Sequence, residues 1–392
     1  MRFVKPGIGH TFHMTLALIS TLIISRLCAI LIFEGTNISN DSGIPIKLGG
    51  EPAFLDYPIY KNSVVTAWSE ITRPLKFFNL LLNDWQGAFA WLKIQQLKPG
   101  PIYPTLIELT CYEESRYLLS WLYQIAGALL GWQWAKCLRE RGEPFWLQIL
   151  CACFPALVYY SFLVSTDLIY ACLIAFWLVG ARAVLENKAG ALSATGVAML
   201  LLLLARPNSL ALLPLMSLMA WKGKSFRAWL SWSFFWAAAG VYMLIYYLPY
   251  YWVHDSNAGA THYWGILPSE YYKGLWDGVP DWIAQPISWL LFVVSKLMHA
   301  VGLRPSYASV ETWLVIARAL PGLLFLPGLV YLFFAAQWFE RWFVLLFMVP
   351  IFVGASQERY LLALTPILLL WGARAWRVAG RWGYSQLRLM KS

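Results

Sequence analysis

Charged side chains are scarce in this sequence: Asp, Glu, Lys and Arg together make up 13% of its 392 residues. Apolar and aromatic residues make up 59%, and Trp, Tyr and Phe alone contribute 17%. A water-soluble protein of this length needs more polar surface, so the composition excludes an ordinary soluble enzyme or scaffold. Lipid can cover the apolar surface instead, and aromatic residues are typical of the two membrane–water interfaces.

Several motifs of soluble catalysts and metalloproteins are also missing. The sequence has no glycine-rich phosphate loop, no regularly spaced cysteine framework and no Ser–His–Asp signature. His254, Asp255 and His262 come nearest to a metal site, but their spacing favours a substrate-contact or interfacial loop. No cofactor or metal site is therefore predicted, although dependence on a divalent metal stays open. The formal charge of +10 favours anionic headgroups over nucleic acid, because the basic residues lie mostly in short loops and at the C-terminus.

Apolar segments recur along the chain. A membrane-spanning helix needs about 20 apolar residues. The segments run over residues 12–33, 118–135, 145–163, 168–185, 189–205, 209–221, 228–250, 283–303, 312–336, 342–355 and 360–376. The pattern predicts an all-α, polytopic integral membrane protein with roughly 10–12 transmembrane helices.

The basic residues orient these segments. Basic clusters follow the apolar segments at Lys136–Arg141, Arg182–Lys188, Lys222–Arg227 and Arg374–Lys391. The positive-inside rule places all four in the cytoplasm. Eleven crossings from a cytoplasmic N-terminus would leave the basic C-terminal tail outside. Either one C-terminal segment is therefore re-entrant or interfacial, or the series lacks a further segment. The 283–303 segment is the candidate for a re-entrant or interfacial helix, since Lys296 and His299 interrupt it.

The opposite side receives a long first loop, residues 34–117. Residues 56–71 and 75–97 carry apolar side chains at helical spacing, which predicts amphipathic helices lying in the membrane interface. The Pro-rich stretch Lys98–Pro104 is predicted as a rigid turn leading back to the membrane. So long a loop on one side suggests that a functional site is built there.

Charged residues at the edges of apolar segments are costly to keep there and often mark a function. Asp56, Asp167, Arg206 and Arg359 all fall on the outer side in this topology. Each also has a structural interpretation. Asp56 and Asp167 suit helix caps, Arg206 suits a snorkelling anchor, and Arg359 can pair with Glu358.

Short motifs at these positions follow one another in a definite order. Asp56-Tyr57-x-x-Tyr60 opens a loop helix, the 98–104 turn precedes the second segment, Arg206-Pro207 ends the fifth, and Glu358-Arg359-Tyr360-Leu361-Leu362 opens the last. The order of these motifs and their location on one side of the membrane resemble those of the GT-C superfamily of polytopic membrane glycosyltransferases. They are most similar to the branch that includes aminoarabinose transferase and the protein O-mannosyltransferases.

The resemblance implies sugar transfer from a polyprenyl-phosphate donor to a lipid, glycan or protein acceptor, on the extracytoplasmic face and with inversion. A carboxylate then takes the proton of the acceptor hydroxyl, and Asp56 is the first candidate. The family often has two adjacent acidic residues in the first loop, whereas Tyr57 follows Asp56 here. Glu51 is the nearest other carboxylate, and Asp167 competes with it for the second acidic role.

Cations are expected to stabilise the departing phosphate. Arg206 and Arg359 are the first candidates, because the planar guanidinium binds phosphate through two hydrogen bonds, and Lys61 is a weaker one. The residues expected to contact substrate are Tyr57, Tyr60, His262 and Glu358.

The resemblance also divides the chain at residue 250. Residues 1–250 form a GT-C-type transmembrane module that contains the first outer loop, and residues 251–392 form a C-terminal outer loop with a variable transmembrane module. Compact loops without sorting signals favour a bacterial inner membrane, with the active site facing the periplasm. The expected partners are the lipid-linked donor, its acceptor and membrane lipids, with no nucleic acid.

Two other functions use related features. A polymerase or ligase of lipid-linked glycans shares the donor and the outer location, but its key Arg and His residues belong in the later loop, 251–282. A transporter or flippase of lipid-linked sugars shows broken helices and internal pseudo-repeats. Pro155, Pro214 and Pro321 interrupt apolar segments, but no matching halves are visible.

Overall fold

In a computed structural model, the described part of the chain is almost entirely helical, as the long apolar segments predict. The structure describes residues 15–25, 38–39, 45–46, 68–93, 100–110, 116–162, 166–221, 226–256, 278–301, 312–353 and 358–389. The all-α prediction is confirmed for these ranges apart from one short strand pair. Strands β1 (Ile38–Ser39) and β2 (Pro45–Ile46) are antiparallel, with Ile38 opposite Ile46. Two-residue strands are too short to leave an alternating sequence pattern.

The helices follow the predicted apolar segments closely. In chain order they are α1 Thr15–Ser25, α2 Arg73–Asn83, α3 Trp85–Lys93, α4 Ile102–Leu109, α5 Arg116–Glu140, α6 Phe145–Ala152, α7 Pro155–Phe162, α8 Thr166–Leu185, α9 Ala191–Ala205, α10 Leu213–Trp221, α11 Phe226–Ser256, α12 Asp281–Ala300, α13 Thr312–Ala335, α14 Trp338–Val353 and α15 Thr365–Leu389. Three 3₁₀ helices, Glu70–Thr72, Pro207–Leu212 and Glu358–Leu364, lead into α2, α10 and α15.

Proline breaks one predicted segment in two. The 145–163 segment is predicted as a single helix, but α6 ends at Ala152 and α7 begins at Pro155. Pro155 has no N–H to continue the α6 ladder and disfavours the helical conformation in the residue before it. A proline is tolerated at the first position of a helix, so the chain restarts there instead of kinking.

Four helical stretches among the described residues are long and apolar enough to cross a membrane. They are Phe145–Phe162, Thr166–Leu185, Phe226–Tyr247 and Leu361–Arg381. Only 17% of the Phe226–Tyr247 window is buried by the rest of the protein. An apolar helix left so open needs lipid or another apolar surface around it. These stretches indicate a membrane protein.

The chain forms two compact units that alternate along the sequence. Unit 1 comprises Met1–Tyr57, Ile107–Cys172 and Leu362–Ser392, and unit 2 comprises Pro58–Leu106 and Leu173–Leu361. The division at residue 250 expected from the family resemblance stays a prediction.

In unit 1, helices α1, α6, α7 and α15 pack around α5. Leu18 and Leu22 of α1 are buried against Ala135 of α5 and Ala152 of α6. A Cβ added at Gly131 of α5 would lie 2.5 Å from the Ala152 carbonyl oxygen. The absent side chain therefore lets the two backbones approach closely.

In unit 2, the 3₁₀ helix Pro207–Leu212 packs against α9, α11 and α14. Trp177 of α8 is fully buried, with its ring centroid 5.8 Å from that of Phe343 in α14. Its indole N–H faces the Met216 sulfur of α10 at 3.4 Å. Packing of a large aromatic against sulfur and aromatic neighbours fixes how these helices meet.

The first-loop helices differ in detail from their prediction. The helix predicted over residues 75–97 is divided into α2 and α3. Asp84 has an extended backbone, and its Oδ1 accepts the Gly87 N–H at 3.0 Å, so it caps the start of α3. Of the 56–71 helix, only residues from 68 onward lie within the described residues. The prediction of a turn over residues 98–104 is partly wrong, since α4 begins at Ile102. Prolines near a helix start remove N–H groups that have no helical partner.

Candidate functional site

The Arg206-Pro207 pair ends helix α9 and carries a predicted phosphate ligand. Arg206 is half-buried and adopts an extended backbone, with φ −151° and ψ 144°. Its N–H still donates to the Leu202 carbonyl at 3.1 Å. Pro207 then opens the 3₁₀ helix. The sequence places the arginine at this helix end because proline cannot continue the α-helical hydrogen bonding.

Side-chain hydroxyls satisfy the last carbonyls of α9. Ser209 is fully buried, and its Oγ donates to the Leu202 oxygen at 2.7 Å. The buried Tyr247 of α11 donates its hydroxyl to the Leu203 oxygen at 2.8 Å. The Leu202 oxygen also accepts the Arg206 N–H, whereas Pro207 has no N–H to donate to the Leu203 oxygen. The Tyr247 hydroxyl therefore supplies a donor that the helix lacks, and both hydroxyls stabilise the end of α9. The backbone beside Arg206 is therefore fixed from two directions.

Gly100 of the first loop lies directly against this helix end. A Cβ added at Gly100 would lie 2.1 Å from the Leu204 oxygen, 2.7 Å from the Ala205 oxygen and 2.8 Å from the Tyr247 hydroxyl. No side chain fits, because two of the three atoms belong to the backbone. The first loop thus contacts the helix end that carries Arg206.

Helix α2 fixes another part of the loop against α11 through a buried arginine. Arg73 donates from Nε and Nη2 to Oε2 of Glu70 at 3.0 and 2.7 Å. Its Nη1 lies 3.4 Å from the Tyr246 carbonyl oxygen, and the guanidinium stands 5.8 Å from the Tyr246 ring centroid. Tyr242 donates its hydroxyl to the Ile71 carbonyl oxygen. Paired and hydrogen-bonded in this way, a buried charge is tolerated.

Asp167 belongs to unit 1, whereas Arg206 belongs to unit 2. It is the second residue of α8 and is 2% exposed. Residues 163–165, which precede it, lie outside the described residues, so the cap interpretation of Asp167 stays a prediction. A carboxylate in a first helical turn is still favoured by the helix dipole.

Most of the remaining candidate residues lie outside the described residues: Asp56, Glu51, Tyr57, Tyr60, Lys61 and His262. Glu358 and Arg359 open the 3₁₀ helix Glu358–Leu364, and only their backbone is described.

Sequence reasoning missed four residues that contribute to this region. Glu70 and Arg73 have the i, i+3 spacing of an ion pair on a helix, a signal that was present. Gly100 was interpreted only as a turn residue. The pairing of Tyr247 with α9 left no local signal, because its partner lies 44 residues away.

No group of three His, Cys, Asp or Glu side chains suited to a metal ion is found in the part of the chain that the structure describes. Comparisons of the chain with protein families, with curated proteins and with solved structures each give no significant match.

Proposed function

We propose that this chain is a polytopic membrane glycosyltransferase that moves a sugar from a polyprenyl-phosphate donor to a lipid, glycan or protein acceptor. The observation that supports this most is the contact of Gly100 with the last carbonyls of α9. It places residue 100 of the predicted first outer loop at the helix end that carries Arg206. By the family resemblance the same loop contains the candidate base Asp56, and a carboxylate together with an arginine suits transfer from a phosphate leaving group.

In the proposed reaction, Asp56 accepts the proton of the acceptor hydroxyl, and the acceptor oxygen attacks C1 of the sugar. The bond from C1 to the phosphate oxygen breaks on the opposite face, so the configuration at C1 inverts. The bonding electrons stay on the phosphate, whose charge Arg206 and Arg359 stabilise. Asp167 and Glu51 are the alternative bases.

Lys61 is a further candidate cation for the phosphate. Tyr57 and Tyr60 are proposed to stack on the sugar, and His262 and Glu358 to contact substrate. No step in this scheme requires a metal ion.

The proposal includes a fold of roughly 10–12 transmembrane helices in a bacterial inner membrane, with the site on the periplasmic face. Helices α2 and α3 are proposed to lie in the outer interface. Their inner side chains Phe77, Ala88 and Leu92 are buried with Ile245 of α11. Leu82 and Trp85 face outwards and are largely exposed. A helix pair apolar on both faces suits the boundary between protein and lipid headgroups.

The test is transfer of radiolabelled sugar from a panel of polyprenyl-phosphate sugars in membranes that contain wild type or Asp56→Asn. Label should move to an acceptor with wild type and fall by at least about a hundredfold with the variant, the usual range for a general base. An unchanged thermal unfolding midpoint checks that the variant is folded. No transfer from any donor by folded wild type would contradict the proposal. Equal transfer by both proteins would move the base to Glu51 or Asp167.

A further inference from the structure

One end of unit 1 carries an ordered cluster of arginines around a buried carboxylate. Glu143, in the turn between α5 and α6, is bound by two side chains of α15. Arg374 donates to Oε1 of Glu143 from Nε at 2.8 Å, and Arg377 donates to Oε2. The Arg374 guanidinium also stands 4.9 Å from the Trp371 ring centroid. These contacts hold both arginines in fixed positions.

The carboxylate cannot satisfy both arginines. Each guanidinium carries five N–H donors, whereas a carboxylate offers about four acceptor sites. Glu143 is almost fully buried, but Arg374 and Arg377 are part-exposed. The cluster therefore buries its negative partner and presents its positive partners to the surroundings.

Further basic residues extend the cluster. Arg381 is exposed one helical turn beyond Arg377, and Lys136, Arg139 and Arg141 lie on the last turn of α5 and just after it. Six basic residues, Lys136, Arg139, Arg141, Arg374, Arg377 and Arg381, stand against two acidic ones, Glu140 and Glu143. The formal charge of this surface is strongly positive.

Two exposed tryptophans mark the level of the cluster in the membrane. Trp376 lies between Arg374 and Arg377 on α15, and Trp146 lies three residues after Glu143 on α6. More than half of each side chain is exposed. Tryptophan is enriched where acyl chains meet headgroups. The last two turns of the candidate span Leu361–Arg381 contain all three arginines, and long basic side chains near the end of a span can reach the level of the lipid phosphates.

We propose that this end of unit 1 binds the phosphate groups of anionic phospholipids, with Arg374, Arg377 and Arg381 as the principal ligands. Arginine suits the role because its planar donors match a phosphate. Glu143 is a positioning residue: it aligns two of the arginines before lipid binds. The inference requires the membrane location but not the proposed sugar transfer, so it holds whether or not the chain transfers sugars.

The test uses the full chain purified in neutral detergent, titrated with phosphatidylglycerol or with phosphatidylcholine while the thermal unfolding midpoint is followed. Phosphatidylglycerol should raise the midpoint in a saturable manner, because a ligand that binds only the folded state stabilises it. Phosphatidylcholine should not. The shift should shrink in high salt, since part-exposed charges are screened.

The double variant R377Q/R381Q should lose most of the phosphatidylglycerol shift. R381Q alone should lose part of it, and it spares both contacts to Glu143, so the fold stays intact. The matched control is R182Q/K188Q, which removes two exposed basic residues, one from the last turn of α8 and one just after it, and should keep the full shift.

Three results would overturn the proposal. The first is a full shift in R377Q/R381Q, and the second is an equal loss in R182Q/K188Q, which would show a general charge effect. The third is an equal shift with soluble glycerophosphate at the same concentration, which would indicate a site for free phosphate and not for a lipid surface.

Discussion

Each of the two units contains a cluster in which arginine binds a carboxylate. The two clusters differ in which partner is buried, the arginine or the carboxylate. In unit 2 the arginine is buried: Arg73 is 2% exposed and its partner Glu70 is 29% exposed. In unit 1 the carboxylate is buried: Glu143 is 3% exposed, while Arg374 and Arg377 are 30% and 46% exposed. The contact type is the same, but the charge offered to the surroundings is reversed.

The difference separates a structural arginine from two that can bind a ligand. Arg73 has its guanidinium committed to Glu70 and Tyr246, so it fixes α2 on α11. Arg374 and Arg377 are aligned by Glu143 but stay accessible. The same residue type therefore has different roles, which burial decides and sequence does not show.

The largest effect is expected where the first loop meets α9 in unit 2. Gly100→Ala should reduce the yield of folded protein sharply, or lower its stability by about 3 kcal/mol or more, because the new Cβ meets backbone oxygens that cannot move aside. The measurement is the thermal unfolding midpoint of purified protein. Gly380→Ala in α15 is the matched control: its Cβ would meet nothing within 4 Å. That variant should be neutral or slightly stabilised. Equal stability of the two variants would contradict the close contact at Gly100.

The comparison of the two clusters predicts that replacing the glutamate by glutamine lowers the free energy of unfolding by different amounts in the two units. Glu70→Gln leaves the buried Arg73 without its charged partner and should cost about 2–4 kcal/mol. Glu143→Gln leaves arginines that water or lipid can reach and should cost only about 1 kcal/mol. Midpoints in one detergent, with limited proteolysis at α2–α3, would measure both. A larger loss for Glu143→Gln would reverse the comparison.

A smaller effect is expected at the hydroxyl that closes α9. Tyr247→Phe removes the hydrogen bond to Leu203 and leaves that buried carbonyl without its donor, which should cost about 1–2 kcal/mol. Tyr242→Phe, at a more exposed hydroxyl, is the comparison and should cost less. The thermal unfolding midpoint measures both variants. Equal losses of stability in the two variants would show that the Tyr247 hydroxyl has no particular importance for the end of α9.

The smallest effect is expected at the exposed ion pairs after α8. Hydrogen bonds from Lys188 and then Arg182 lower the pKa of Glu186 below its ordinary value of 4.5. A lowered pKa means that any stabilisation is complete above the unfolded pKa and is lost as the pH falls through the folded pKa. Glu186→Gln should leave the midpoint at pH 7 unchanged, because exposed pairs contribute little. A clear loss at pH 7 that vanishes below pH 4.5 would show that this turn matters to the fold.

The helices could be predicted from the sequence because their signal is local. Long apolar runs gave the positions of α5, α8 and α11, and Arg206-Pro207 gave the end of α9. Details set by single residues are harder to predict. Asp84 splits one predicted helix by capping the next, and Pro155, which interrupts an apolar segment of the sequence, ends up starting a separate helix. The interleaved units were also missed, since they depend on contacts between distant parts of the chain.

The candidate site was predictable only in part. Arg206 was proposed because a charge at an apolar helix end is costly, and the structure describes it at such an end. Gly100 and Tyr247, which fix that end, are contributed by segments distant in sequence, so no local pattern indicates their role. The role of Asp56 stays a prediction.

The most direct test of the account is the affinity of the purified protein for labelled polyprenyl phosphate in the absence of acceptor. Arg206→Gln should weaken binding by about tenfold or more, as expected for one charge-assisted hydrogen bond to phosphate. Arg182→Gln, an exposed arginine away from the site, should bind as wild type does. Equal affinity of wild type and a folded Arg206→Gln variant would contradict the claim that this helix end holds the donor phosphate.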